Sequence, residues 1–216
     1  MSIFHLRVRG MLITMTAFFM LAMLALAGDS LINIQRLDNA LLQVSDAALA
    51  IRRQMDADMM HDAIRSDVLA ARLAESQGET EGVSDIQHDL AAHSERLKLN
   101  IINNAKADLG DAVRRQSLRT EPSLERYIAA ARELVATIAA GGRPEAEKIA
   151  EFEKDFDQLE IEMEKLSDLI QAGTDSARHS AHAQVASGKL STLIILLIVM
   201  ATFGLFAFVA FRRIRN

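Results

Sequence analysis

IAEFEKDFDQLEIEMEKLSDLI, running from Ile149 to Ile170, decides the fold of this chain. Its apolar residues fall at Ile149, Phe152, Phe156, Leu159, Met163, Leu166 and Ile170, in alternating steps of three and four. That spacing lays one apolar seam along a helix and leaves Glu, Asp and Lys on the remaining faces. A half-buried strand would alternate in steps of two. Moving outward, the same seam pattern recurs three times. It reads Ile34, Leu37, Leu41, Val44, Ala48, Ile51 and Met55 in a first helix. A second carries Val83, Ile86, Leu90, Leu97 and Ile101, and a third Leu124, Ile128, Ala131, Val135 and Ile138.

Breaks lie between the seams. Gly78-Glu79-Thr80-Glu81-Gly82 separates the first and second helices, with a glycine suited to the turn that ends a helix. At Leu109-Gly110-Asp111, Gly110 suits the position just past a helix and Asp111 an N-cap. At Gly141-Gly142-Arg143-Pro144, Pro144 fits a first helical position, and Glu145 and Glu147 complement the helix dipole. Pro122 falls inside the third helix and is expected to kink or restart it. Short connections between four helices predict an all-α fold, an antiparallel up-down-up-down bundle.

Two uncharged apolar segments bracket this region, Met11–Gly28 and Leu190–Phe211. Each approaches or exceeds the roughly 18–20 residues that cross a bilayer. Arg7 and Arg9 precede the first, and Arg212, Arg213 and Arg215 follow the second. Flanking arginines place both ends in the cytoplasm and the stretch between the spans outside the membrane. The expected layout is a cytoplasmic N-terminus over 1–10, a first span over 11–31, a helical domain over 32–189, a second span over 190–211 and a cytoplasmic tail over 212–216. Each span is expected to continue into the helix beside it. The outer part of the first helix would then be on the order of 70 Å long. Ala25-Leu26-Ala27 also matches a signal-cleavage pattern, but helical periodicity continues past Gly28 through Leu31 and Ile34.

Composition narrows the chemistry. The net charge is −5, and because the five charges on the expected cytoplasmic side are all arginines, the stretch between the spans is more acidic still. That argues against nucleic acid as a partner. The absence of cysteine excludes thiol catalysis, thiolate metal sites and disulfides. No phosphate-cradling glycine loop, nucleophile elbow or H-E-x-x-H pair occurs, so neither enzymatic activity nor a cofactor is expected.

The first helix changes character after Met55. At the same spacing the seam meets Asp58, Asp62 and Arg65 before Leu69. One reading is a polar cluster buried in the bundle or at a dimer seam, as an internal network or ligand pocket, with Asp62 and Arg65 paired within the helix. The other is a four-residue stutter through Met55, Met59, Ala63, Ser66, Ala70 and Leu73 that turns the charges outward. His61 follows Asp58 by three residues, as His88 follows Asp85, but the two pairs lie at different heights, so no metal site is expected. His93 falls on the second seam as a core histidine, and His179 and His182 on a polar surface near the second span. Gly173, Ala177, Ala181 and Gly188 place small residues along the last helix, suited to close packing or to sliding.

The run Met59-Met60-His61-Asp62-Ala63-Ile64-Arg65-Ser66-Asp67-Val68-Leu69 resembles the periplasmic sensor region of methyl-accepting chemotaxis proteins. So does Tyr127-Ile128-Ala129-Ala130-Ala131, followed by Phe152, Phe156, Leu159-Glu160 and Met163. Arg212-Arg213-Ile214-Arg215-Asn216 looks like the first residues of a HAMP linker. The resemblance implies a homodimer packed through the first helix, in a bacterial inner membrane. It implies a small-molecule ligand or a periplasmic binding protein as partner, and a displacement of the last helix as the signal. In that family arginines on the first helix grip a ligand carboxylate, which makes Arg65 and Arg72 candidates here beside Asp58, His61 and Asp62. The chain as read is expected to sense without itself controlling a kinase. A histidine-kinase or cyclase input domain, or a helical adaptor for another membrane protein, are the alternatives.

Overall fold

The computed structural model describes residues 2–79 and 82–215, and side chains at 10, 13–79, 82–209, 211 and 212. Met11, Thr80 and Glu81 and the arginines at 7, 9, 213 and 215, which entered the sequence reading, have side chains outside that set. The described residues form four helices, α1 (Ser2–Gln77), α2 (Val83–Ala105), α3 (Asp111–Ala139) and α4 (Ala146–Arg215). No helix break separates either apolar segment from the seam next to it in sequence. By length and composition α1 and α4 each hold a segment able to cross a membrane. Those segments are almost wholly unburied, as lipid-facing helices are.

The helix ends follow glycine chemistry. Gly78, Gly110 and Gly141 all take positive φ, a region that L side chains avoid. Gly110 itself occupies the N-cap of α3, so Asp111 is the first helical residue and binds Arg114 at 3.0 Å. Pro144 lies two residues ahead of α4 rather than in its first turn. Pro122 does not break α3, which continues through it. Its exposed position lets water reach the backbone carbonyl that proline leaves without an amide partner.

The chain divides into two compact units, Gln43–Arg178 and the residues up to Leu42 together with those from His179 onward. The first has a core drawn from all four helices. α2 contributes Val83, Leu90, Leu97 and Ile101; α3 Leu124, Tyr127, Ile128, Ala131, Leu134, Val135 and Ile138; α4 Phe152, Phe156, Leu159, Met163, Leu166 and Ile170. Most of these residues lie on the seams read from the sequence; Tyr127 and Leu134 join the α3 seam, and Ile86 and Ile149 are only partly buried. Helix α1 is different. It fills the core with Ala47, Ala50, Ala57, Met60, Ile64, Val68 and Ala71, a face one step round from the expected seam. Its four alanines let α1 lie close to its neighbours, while Met55, Met59, Leu69 and Leu73 are left outside. Gly173 of α4 packs so tightly that a Cβ there would stand 2.9 Å from the Leu109 carbonyl.

The second unit is held by a polar clasp. Asp29 accepts from the hydroxyls of Thr192 (2.6 Å) and Ser191 (2.8 Å) and from the Asn33 amide (3.0 Å). The same amide donates to Thr192 Oγ1 at 3.1 Å. Gly188 gives Asn33 its room, since a Cβ there would lie 2.9 Å from Asn33 Oδ1.

Candidate functional site

The candidate residues of α1 fall on opposite sides of the helix. His61 is buried, at 4% exposure, whereas Asp58 and Asp62 are exposed and Arg65 and Arg72 half-buried. Within the chain, therefore, Asp58, Asp62 and Arg65 do not form a buried network. Neither does the stutter bury its residues, because Met55, Met59, Ser66, Ala70 and Leu73 are exposed and Ala63 is half-buried. The stutter is right that Asp58 and Asp62 face outward.

His61 lies in an aromatic cluster that joins three helices. Its ring stacks on Phe156 with centroids 4.2 Å apart and planes 9° from parallel. Tyr127 lies 5.0 Å away, and stacks in turn on Phe152 at 5.3 Å. The Tyr127 hydroxyl donates to the His61 carbonyl at 2.8 Å, tying α3 to α1. Imidazole Nε2 has no hydrogen-bond partner. Burial away from water holds the His61 ring well below the ordinary histidine range, at about 4, against the pull of Asp62's negative charge. The ring is thus neutral at pH 7. Burial likewise pushes the Tyr127 phenol up.

Arg65 closes the cluster from outside. Its guanidinium carbon sits 4.3 Å above the Phe156 ring, and it donates to Glu153 at 2.8 Å. The expected partner Asp62 is replaced by a carboxylate of α4, because Arg65 projects toward α4 while Asp62 faces away. Arg65 is therefore already engaged, and Arg72 takes no part in the cluster. Among the described residues Asp58 accepts a side-chain hydrogen bond from Gln54 at 3.5 Å, and desolvation of its carboxyl together with Asp62's charge holds it above the usual range. Gln54 is itself buried and donates to the Met163 carbonyl at 3.2 Å.

His93 is not a core residue. Ser94 takes the buried position, and His93 meets Asp67 at 2.7 Å at the edge. Among the described residues no three His, Asp or Glu side chains converge as a metal ion would need.

The sequence reading missed Glu153 and Gln54 and the meeting of Tyr127, Phe152 and Phe156 with His61. One signal was available. Tyr127 is the only tyrosine, and it stands one residue before the α3 seam, where a buried hydroxyl needs an acceptor.

The outer face of α1 is the other notable surface. Met55, Met59, Asp62, Ser66, Leu69 and Leu73 follow one another at steps of three and four, and all are exposed. Met55 and Met59 are each 63% exposed. Asp62 and Ser66 form a polar notch in an otherwise apolar stripe. No known protein family, curated protein or solved structure matches this chain.

Proposed function

We propose that this chain is a membrane-anchored sensory bundle of the chemoreceptor kind. It binds a small molecule or a periplasmic protein outside a bacterial inner membrane and has no catalytic role. In this reading the four helices run up-down-up-down as an antiparallel bundle. The apolar parts of α1 and α4 span the membrane, and both termini are cytoplasmic. Two copies pair through α1, and the signal leaves as a displacement of α4 and its span.

The observation that carries this reading is the double-faced character of α1. One face is filled by its own bundle, while the stripe from Met55 to Leu73 is left in the open. A contiguous exposed apolar stripe at coiled-coil spacing calls for a partner, and a symmetric copy supplies the same stripe. The polar notch at Asp58, Asp62 and Ser66 would then lie at the pairing seam, where a ligand bridges two copies. His61 lies on the opposite, buried side of α1 from that notch, and Arg65 is held by Glu153 of α4. A ligand in the notch meets carboxylates first, which favours a cation or amine over a carboxylate.

The test is a thermal-shift screen of the full chain in lipid nanodiscs with amino acids, amines, organic acids and divalent metals. The expected result is a stabilising ligand whose effect is lost in Asp62→Ala and kept in Glu160→Ala, an exposed position on α4. No stabilising ligand, together with stable recovery of one other membrane protein, would favour the adaptor reading instead.

A further inference from the structure

A cavity of about 410 Å³ opens between α2 and α3, in the part nearest the turn that joins them. Its size falls in the range of small-molecule sites, roughly 300–1,000 Å³. Its lining is apolar, with Ile101 and Leu124 at the floor and Ile102 and Leu118 at the mouth. Ile102 and Leu118 are exposed, so the floor is reached from solvent. Ser117 lines the same wall, and its hydroxyl is fully buried without a hydrogen-bond partner. Ser94, Thr120 and Thr174, also buried, each bond a carbonyl one turn back, at 2.6, 3.0 and 2.8 Å. An unsatisfied buried hydroxyl is costly unless something else meets it.

The charges around the cavity are not evenly placed. Lys106 and Arg114 stand at the turn end, on the last residues around α2 and the first turn of α3. Lys106 makes no ion pair among the described residues, and Arg114 is held only by the exposed Asp111. At the other end Glu125 is neutralised by Lys98 at 2.5 Å, which leaves Glu121. Cations at one end, an apolar floor and a free hydroxyl between them define the complement of an amphipathic anion.

We infer that this cavity is a binding site for a small amphipathic monocarboxylate. Its carboxylate sits between Lys106 and Arg114, where a turn of the unpartnered Ser117 side chain lets its hydroxyl donate to it, and its apolar body lies over Ile101, Ile102, Leu118 and Leu124. The floor from Ser117 to Leu124 is on the order of 10 Å along the helix, room for a phenyl ring or a short alkyl chain. Glu121, near the far end, disfavours a dicarboxylate long enough to reach it. The site lies within the helical bundle and does not depend on the sensory reading or on pairing through α1.

The probe is phenylacetate, titrated into the full chain in nanodiscs by calorimetry, with phenethylamine as the charge-reversed control. The account expects saturable binding of one phenylacetate per chain, and phenethylamine bound at least tenfold more weakly. Lys106→Glu with Arg114→Glu should weaken phenylacetate by roughly tenfold or more, since charge-assisted hydrogen bonds are lost. Leu118→Trp, which fills an exposed mouth position, should abolish binding while the helical circular dichroism and melting temperature stay as in the parent. Ser117→Ala should weaken binding by a few-fold. No saturable binding in the parent, phenethylamine bound as tightly as phenylacetate, or an affinity unchanged in the doubly substituted chain or in Leu118→Trp would overturn the proposal.

Discussion

His61→Phe should remove a specific pH dependence from the bundle. In the folded chain burial holds the imidazole at about 4, against an ordinary value of 6.5. The unfolded chain therefore binds the His61 proton between those values and the folded chain does not. Stability contributed by keeping the ring neutral is full above the unfolded value and is lost as pH falls toward the folded one. At 1.36 kcal/mol per pKa unit, the parent should lose about 2 kcal/mol from this group between pH 7 and pH 5, and about 3 kcal/mol once it is titrated completely. For a domain of this size that is a fall in Tm of roughly 8 °C by pH 5. Phenylalanine preserves the stacking on Phe156 and has no Nε2 to leave unpaired, so the variant should be at least as stable at pH 7. Asp58 and Asp67, whose carboxyls burial holds above the usual range, act with the opposite sign. They are present in both chains and cancel in the difference. The assay is thermal unfolding of the full chain in nanodiscs, followed by circular dichroism from pH 7 to pH 4.5. Parent and variant melting curves that shift in parallel across that range would refute the reasoning.

Other substitutions probe the remaining contacts. Tyr127→Phe deletes the hydroxyl that meets the His61 carbonyl and should cost about 1 kcal/mol, because a buried hydrogen bond is lost while the carbonyl keeps its bond within α1; chemical denaturation measures it. Arg65→Ala loses a partly exposed ion pair with Glu153 and a stacking contact, so its stability cost should stay near 1 kcal/mol, and a loss above about 3 kcal/mol would contradict the partial exposure of the pair. Gly173→Leu should lower Tm by several degrees, since a Cβ alone already stands 2.9 Å from a backbone carbonyl. Asp29→Ala should loosen the clasp to Ser191, Thr192 and Asn33, seen as faster amide exchange around residues 29–33 and 188–192 with the bundle core unchanged.

Much of this was legible because large apolar residues dominate three of the seams. Leu90 and Leu97, Ile128 and Val135, Phe156 and Met163 each leave a neighbouring polar position no choice but the surface. Helix α1 was harder, because it is apolar on two sides. Its core face mixes Ala47, Ala50, Ala57 and Ala71, which signal weakly, with Met60, Ile64 and Val68, and is interrupted by Gln54 and His61. Its outer face carries the methionines and leucines that signal strongly. A reading that ranks residues by size takes the outer face for the core. The partner of Arg65 was out of reach for a different reason. Asp62 is close in sequence, but only the packing of α4 against α1 brings Glu153 within 2.8 Å.

Pairing through the outer face of α1 is the claim on which the sensory reading stands. The chain contains no cysteine, so single cysteines can be introduced one at a time from position 52 to position 73 and oxidised in native membranes. The account predicts disulfide-linked dimers at Met55, Met59, Asp62, Ser66, Leu69 and Leu73, with minima at Ala57, Ile64, Val68 and Ala71. Uniformly weak cross-linking, or maxima at positions off that stripe, would contradict it.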